Sequence, residues 1–246
     1  MYENSFGNKA ILYRVASYCA LASVLLILLG LTLFILFPMP AALSSLSERL
    51  NFIARHSLEW RLPFFNVLIF ILVQLPIAVG LFFLTRDKNG HLPLFAAIFG
   101  LMAFYIALQS TFTLVSAVPQ MAKIFASTGD ELLKFAIIAN FNNGGLIQLH
   151  SFSFSYLILS VTLFGVMGLL FGIGLFQSLK LSRVVGWLLF WAGIFSLVGL
   201  VGYLAERRII QLGYLVQIFI YFSTLMIMFP MFQHEAQLNQ VISKKN

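Results

Sequence analysis

The sequence predicts an all-α integral membrane bundle of six transmembrane helices with two amphipathic interfacial helices. Of its 246 residues, 61% are hydrophobic and only 9% are charged, whereas a soluble domain carries about 25% charged residues. The charged residues lie in clusters, and six charge-free stretches between them are long enough to cross a hydrocarbon core of about 30 Å as helices. This composition excludes a soluble globular domain, a disordered chain, a coiled coil and a nucleic-acid-binding domain.

The charged clusters bound the six spans, because a charged side chain at the bilayer centre costs about 2.5–3.5 kcal/mol. A helix satisfies its own backbone polar groups in lipid, and these runs lack the alternating pattern of β-barrel strands. All six spans belong to one predicted transmembrane domain over residues 1–246. We place the helices at 12–37, 62–84, 92–118, 150–178, 183–205 and 209–231.

Two further segments, 43–60 and 119–139, mix charged residues with apolar residues at helical spacing. This pattern is typical of amphipathic helices that lie on the membrane surface. In the first segment, Ser45 and Glu48 have the spacing of a capping box. A re-entrant element at 132–147 is the alternative for the end of the second segment.

The orientation of the chain is weakly specified by its charge. Eight basic residues fall on one side of the six spans and seven on the other. The compact basic loops at 85–91 and 179–183 favour a cytoplasmic location for their side, which also holds both termini. The net charge of +7 favours contact with anionic lipids, since each basic residue near such a surface contributes about 1 kcal/mol.

Polar side chains recur at spacings of three and four along the third and sixth spans. One interpretation is a polar cavity between helices 2, 3, 4 and 6 that binds a small amphiphile or conducts a solute. The favoured alternative is that these side chains form interhelical hydrogen bonds, each worth about 0.6 kcal/mol. The candidate residues are Asn66, Gln74, Tyr105, Gln109, Thr113, His150, Tyr156, Tyr214, Gln217 and Tyr221.

The sequence offers little for catalysis, metal binding or ion coupling. No Asp, Glu, Lys or Arg lies in the middle of a predicted span, which disfavours a proton-coupled mechanism. His56 and Glu59 can share a helix face, but a solvated surface pair is favoured over a metal site. No catalytic or cofactor motif is present, so neither enzyme activity nor a cofactor is expected. The weakest hypothesis is an intramembrane enzyme that uses His150.

Small residues on the fourth and fifth spans predict close helix packing. Gly168 and Gly172 form a Gly-x-x-x-Gly pair, and Gly186 and Gly193 lie on the next helix. Small residues let helix backbones approach closely where lipid supplies no hydrophobic drive for association. A tight hairpin within the chain is favoured, with a dimer interface as the alternative.

The run from Gly168 to Gly193, GLLFGIGLFQSLKLSRVVGWLLFWAG, resembles a bacterial family of uncharacterised multipass membrane proteins, domain-of-unknown-function family four-three-eight-six. In that family a glycine-rich span leads through a loop arginine, here Arg183, into an apolar span with Ala-Gly. The opening Tyr13 to Tyr18 is similar to the family's start, while Leu181-Ser182 replaces the usual Ile-Pro. The resemblance implies a multipass bacterial inner-membrane protein and supplies neither an activity nor a site residue.

Two functional hypotheses follow from the sequence. The first is a non-enzymatic inner-membrane protein with a structural, regulatory or accessory role. Its expected partners are membrane lipids and either another membrane protein or a second copy of the chain, with no nucleic acid. The second is a small-solute or lipid-binding permease that uses the polar cavity.

Overall fold

The computed structural model describes residues 3–37, 45–86, 91–142, 152–176, 180–205 and 208–245, and these residues form helices without any strand. Over this described part, six helical runs are long and apolar enough to cross a membrane. The predicted all-α membrane bundle with six spans is therefore confirmed. The helices are α1 (Glu3–Leu36), α2 (Leu46–Arg55), α3 (Ser57–Arg86), α4 (Leu92–Val115), α5 (Ala117–Ser127), α6 (Glu131–Asn142), α7 (Phe152–Leu175), α8 (Lys180–Leu204) and α9 (Arg208–Lys245).

The first interfacial segment is shorter than predicted. The capping box at Ser45 forms as expected, with the Glu48 backbone N–H donating to the Ser45 hydroxyl at 3.2 Å. The helix ends at Arg55, and a new helix begins directly after His56. Because the His56 carbonyl accepts from the Trp60 N–H at 2.9 Å, Trp60 belongs to the third helix and not to the surface segment.

The second interfacial segment forms two helices, α5 and α6, where one was predicted. Thr128 to Asp130 separate them. The Asp130 carboxylate accepts from the backbone N–H groups of Leu132 and Leu133 at 2.9 and 3.3 Å, so it caps the start of α6. Residues 143–151, where a loop or re-entrant element was predicted, lie outside the described residues.

The last helix is longer than predicted. It continues through Pro230 to Lys245, well past the expected end at residue 231. A proline inside a helix removes one backbone hydrogen bond. Met231, Phe232 and Ala236 are nevertheless almost fully buried, so packing of this turn compensates for the missing hydrogen bond.

The chain divides into two compact units. Unit 1 comprises residues 1–25, 72–104 and 161–246, and unit 2 comprises residues 26–71 and 105–160. The single transmembrane domain over residues 1–246 stays a prediction.

In unit 1, α7 and α8 are in backbone contact at their glycines. A Cβ on Gly172 would lie 2.6 Å from the Gly186 carbonyl oxygen, and one on Gly193 would lie 2.6 Å from the Gly165 carbonyl oxygen. These distances leave no room for a side chain. The close packing of these two helices within the chain is therefore confirmed, while residues 177–179 of the connecting loop lie outside the described residues.

In unit 2, the apolar face of α2 packs on α5. Leu50 and Ile53 are fully buried in a cluster that includes Val118, Ala122 and Phe125. The α2 face that was predicted to rest on lipid is thus covered by protein. Amphipathic spacing identifies an apolar face, but not whether lipid or another helix covers it.

Candidate functional site

The candidate polar residues are divided between the two units, and each group is described by itself. Unit 1 contains Gln74, Tyr214, Gln217 and Tyr221, and unit 2 contains Asn66, Tyr105, Gln109 and Thr113. His150 and the side chain of Tyr156 lie outside the described residues.

A buried hydrogen-bond chain in unit 1 joins α1, α3 and α9. The Tyr221 hydroxyl donates to Gln74 Oε1 at 2.6 Å, and Gln74 Nε2 donates to the Ser23 hydroxyl at 2.7 Å. Ser23 in turn donates to the Cys19 carbonyl at 2.8 Å. Gln74 is 4% exposed and Ser23 is fully buried. Both ends of the Gln74 amide are therefore engaged inside the protein.

A second polar cluster of unit 1 lies where α7, α8 and α9 meet. The hydroxyls of Thr162 and Tyr214 share a hydrogen bond of 3.0 Å. The Val161 carbonyl accepts from Ser196 Oγ at 3.3 Å and from Gln217 Nε2 at 3.4 Å. Gln217 is buried, and its Oε1 has no hydrogen-bond partner among the described residues. This oxygen is an open acceptor in an otherwise paired cluster.

Asn66 of unit 2 is buried beside Gly30 of α1. Its Nδ2 donates to the Leu26 carbonyl at 2.9 Å. A Cβ on Gly30 would lie 2.8 Å from that nitrogen, so the glycine makes room for the amide. Within the described part of the chain, Asn66 Oδ1 is buried without a hydrogen-bond partner.

The polar stripe of α4 faces outward. Tyr105 is 69% exposed, and Gln109 is also exposed. The Gln109 carbonyl accepts from the Thr113 hydroxyl at 2.9 Å. This bond joins neighbouring turns of one helix and does not link α4 to another helix.

His56 and Glu59 form a surface pair at the junction of α2 and α3. His56 Nδ1 lies 2.8 Å from Glu59 Oε2, and both side chains are about half exposed. Across the residues that the structure describes, no three His, Cys, Asp or Glu side chains gather closely enough to hold a metal ion.

The model of a domain of unknown function (DUF4386) matches residues 20–238, which is most of the chain. The chain belongs to the DUF4386 family. No curated protein and no solved structure matches it. The family resemblance seen in the sequence is therefore confirmed. Because the DUF4386 description names no activity, the functional argument for this protein rests on its geometry.

The sequence interpretation overlooked two residues that complete the polar clusters of this DUF4386 protein. Ser23 receives the Gln74 amide, and Thr162 pairs with Tyr214. Both interrupt long apolar runs, which is a usable signal, because a hydroxyl within a span is costly unless it finds a partner.

Chemically, the two clusters of unit 1 in the DUF4386 protein suit the joining of helices. Amide and hydroxyl groups of α1, α3, α7, α8 and α9 donate to and accept from one another or backbone carbonyls. Pairs of this kind stabilise membrane helix bundles by about 0.6 kcal/mol each on average.

Proposed function

We propose that this is a non-enzymatic accessory protein of a bacterial inner membrane, which acts by associating with lipids or other membrane proteins. The observation that carries the proposal is the closed chain from Tyr221 through Gln74 to Ser23. A transport pathway needs polar groups that a solute can reach. Here the oxygen and the nitrogen of the Gln74 amide are both hydrogen-bonded to protein groups. This hydrogen-bond network therefore supports a structural role more than a solute pathway.

Association at the membrane edge is supported by α6. Leu132 and Phe135 are 81% and 70% exposed, although the same helix carries an ion pair of 2.9 Å between Glu131 and Lys134. Exposed apolar side chains beside charged ones suit contact with the lipid interface or with a partner protein. The buried Ile137 anchors the other face of α6 in unit 2.

Contact with anionic lipids on the cytoplasmic side is supported by exposed arginines at helix ends. Arg86 ends α3 and Arg183 lies in the first turn of α8, and both are exposed. An even number of spans puts both termini on this same side. We propose that this side is cytoplasmic, following the positive-inside tendency. A C-terminal fusion to a phosphatase that is active only in the periplasm tests this orientation, and an active fusion contradicts it.

The accessory role is tested by solute permeability of liposomes that contain the full chain. Stopped-flow light scattering follows vesicle volume after a gradient of glycerol or urea is imposed. We expect the same rates as in protein-free liposomes. A faster rate that Gln217→Leu abolishes would contradict the proposal.

That contrary outcome would favour the second candidate, a permease for small neutral solutes. The observation behind it is the buried Gln217 Oε1, which lacks a partner in the described part of the chain. An unpaired buried acceptor is costly, so it favours a bound water or a solute hydroxyl. The matched control is Tyr105→Phe, which removes an exposed hydroxyl and leaves this cluster intact.

Association itself is tested by placing a photo-crosslinking phenylalanine analogue at Phe135 in native membranes. We expect a discrete lipid or protein adduct at Phe135 that is absent when the analogue replaces Phe219, an equally exposed residue of α9. Equal, diffuse labelling at both positions would contradict a specific role for α6.

A further inference from the structure

The exposed side of α8 changes its chemistry along the helix. Among residues 181–204, the exposed polar groups are the guanidinium of Arg183 and the indoles of Trp187 and Trp191, at successive spacings of four. Beyond Trp191 the exposed residues are only aliphatic. Helical spacing puts five of the exposed residues on one side of α8, within unit 1. This α8 strip consists of Arg183, Trp187, Trp191, Val198 and Val201.

The glycines of α8 face the interior of unit 1 and not the α8 strip. A Cβ on Gly186 would lie 2.9 Å from the Gly172 carbonyl oxygen of α7. A Cβ on Gly199 would lie 2.8 Å from the Tyr214 ring of α9. Membrane helices pack on one another through small residues, and the α8 strip contains none. The helix-packing sides of α8 are thus used within the chain, and the bulky strip suits lipid better than a further helix.

The polar groups of the α8 strip lie at the depth of lipid headgroups. Arg183, in the first turn of α8, marks the membrane surface because a charged side chain avoids the hydrocarbon core. At 1.5 Å per residue, the backbones of Trp187 and Trp191 lie about 6 Å and about 12 Å deeper. Helical side chains lean toward the N-terminus, so both indoles reach about one turn back toward Arg183. The polar region of each leaflet is about 5–8 Å deep, so the indole N–H groups meet the ester carbonyls of lipids.

Neighbouring rings hold both indoles in place. The Trp187 ring stacks on Phe176 with the centroids 4.5 Å apart, and it meets Phe190 edge-on at 5.9 Å. Trp191 meets Phe190 edge-on at 5.7 Å. Neither indole N–H has a hydrogen-bond partner among the described residues. Two fixed donors beside a cation form a preorganised site, because such rings lose little conformational entropy when a ligand binds.

We propose that the α8 strip binds one anionic diacyl phospholipid. The phosphate binds the Arg183 guanidinium, whose N–H donors match two phosphate oxygens, and the ester carbonyls accept from the two indole N–H groups. One acyl chain lies along Val198 and Val201, about 10–15 Å beyond Trp191, which is within the hydrocarbon depth of one leaflet.

Charge complementarity selects the anionic class of lipid. α8 contains no acidic residue that would pair with the ammonium group of a zwitterionic headgroup, whereas Arg183 attracts a net negative one. This inference rests on the lipid-association part of the proposed function and adds the site and the class of lipid.

Native mass spectrometry of the full chain in mild detergent tests the proposal. Titration with phosphatidylglycerol, and with phosphatidylethanolamine of the same acyl chains, gives the dissociation constant of the first bound lipid of each class. We expect phosphatidylglycerol to bind more tightly, and Arg183→Gln to weaken its binding about fivefold. The matched control Arg86→Gln removes another exposed arginine at a helix end and should leave the constant unchanged. Equal constants for the two lipids, or equal effects of the two variants, overturn the proposal.

The contribution of an indole donor is isolated by Trp187→Phe, since phenylalanine retains a ring to stack on Phe176. We expect both lipids to bind about two- to tenfold more weakly, because both carry ester carbonyls. Far-UV circular dichroism checks that the variant is folded. An unchanged dissociation constant overturns the contact between the indole and the ester group.

Photo-crosslinking locates the lipid on the unaltered chain. Phosphatidylglycerol with a diazirine on one acyl chain is added to nanodiscs that contain the protein, and the labelled peptides are identified by mass spectrometry. We expect labelling at 197–201 that excess unlabelled phosphatidylglycerol reduces, whereas labelling around Phe219, an exposed residue of α9, is not reduced. Labelling that competes at neither position overturns the α8 site alone. A solute flux that Gln217→Leu abolishes would instead contradict the accessory role, so the two failures are distinguishable.

Discussion

Replacing Gly172 of α7 with alanine tests whether α7 and α8 are held as close as the structure shows. The new Cβ would lie 2.6 Å from the Gly186 carbonyl oxygen and 2.8 Å from the Phe190 backbone nitrogen. Both neighbours are backbone atoms, so no side-chain rotation relieves the overlap. We expect α8 to move outward, because a well-packed helix pair has no free volume to absorb a methyl group.

The size of the effect follows from the contacts that this movement weakens. A gap of about 0.5–1 Å removes about a quarter to a half of the dispersion energy of each atom pair. With about 20 pairs of about 0.15 kcal/mol at the crossing, the loss is about 1 kcal/mol, and overpacking strain adds about 1–3 kcal/mol. Alanine's better helix propensity offsets about 1 kcal/mol. The expected net loss in unfolding free energy is about 1–3 kcal/mol.

Gly168 provides the matched control, one helical turn away on the same helix. A Cβ there would lie 3.5 Å from Leu189 Cδ2 and 3.6 Å from the Leu189 carbonyl oxygen, which are ordinary contact distances. We therefore expect Gly168→Ala to be neutral or to stabilise the protein by up to about 1 kcal/mol. Reversible unfolding in mixed detergent and SDS micelles, followed by far-UV circular dichroism, measures both variants. The reasoning is refuted if Gly172→Ala is as stable as Gly168→Ala.

Three further predictions concern single hydrogen bonds. Tyr221→Phe removes the donor to Gln74 and should lower the unfolding free energy by about 1 kcal/mol. The control Tyr105→Phe should leave the unfolding free energy unchanged. Equal effects of the two variants in the same SDS titration contradict the buried hydrogen-bond network. Trp60→Phe removes the indole hydrogen bond to the Leu114 carbonyl and part of the packing beside α5, so the midpoint of thermal unfolding should fall. An unchanged midpoint contradicts a stabilising role for this hydrogen bond. Ser45→Ala removes the cap of α2 and should cost about 1 kcal/mol; hydrogen exchange of the α2 amides should speed up, and unaltered exchange speaks against the cap.

The number and approximate positions of the spans could be predicted because the cost of charge in lipid acts on the whole chain. Arg86 and Arg183 lie at helix ends, where a charged side chain avoids the free-energy cost of the hydrocarbon core. The end of α9 could not be predicted, because Pro230 signals termination locally while buried residues around Phe232 maintain the helix. Local propensity is a weak guide where tertiary packing decides.

The candidate site could be predicted only in part. The stripes around Gln109 and around Tyr221 look alike in the sequence, yet one faces outward and the other joins a buried network. Helical spacing gives the relative angle between side chains on one helix. The rotation of the whole helix depends on its neighbours, which spacing does not encode. For the same reason the apolar face of α2 was predicted to meet lipid, although Leu50 is buried against protein.

The Trp60 indole is also an intrinsic fluorescence probe of its surroundings. Of the three tryptophans, Trp187 and Trp191 are 48% and 47% exposed on α8, whereas Trp60 is 8% exposed and hydrogen-bonded. Bromine atoms on lipid tails quench only the fluorophores that they can touch. In brominated bilayers the emission of the two α8 indoles should therefore be lost first. The light that remains comes from the junction of α2, α3 and α5, and it reports on that junction without any label.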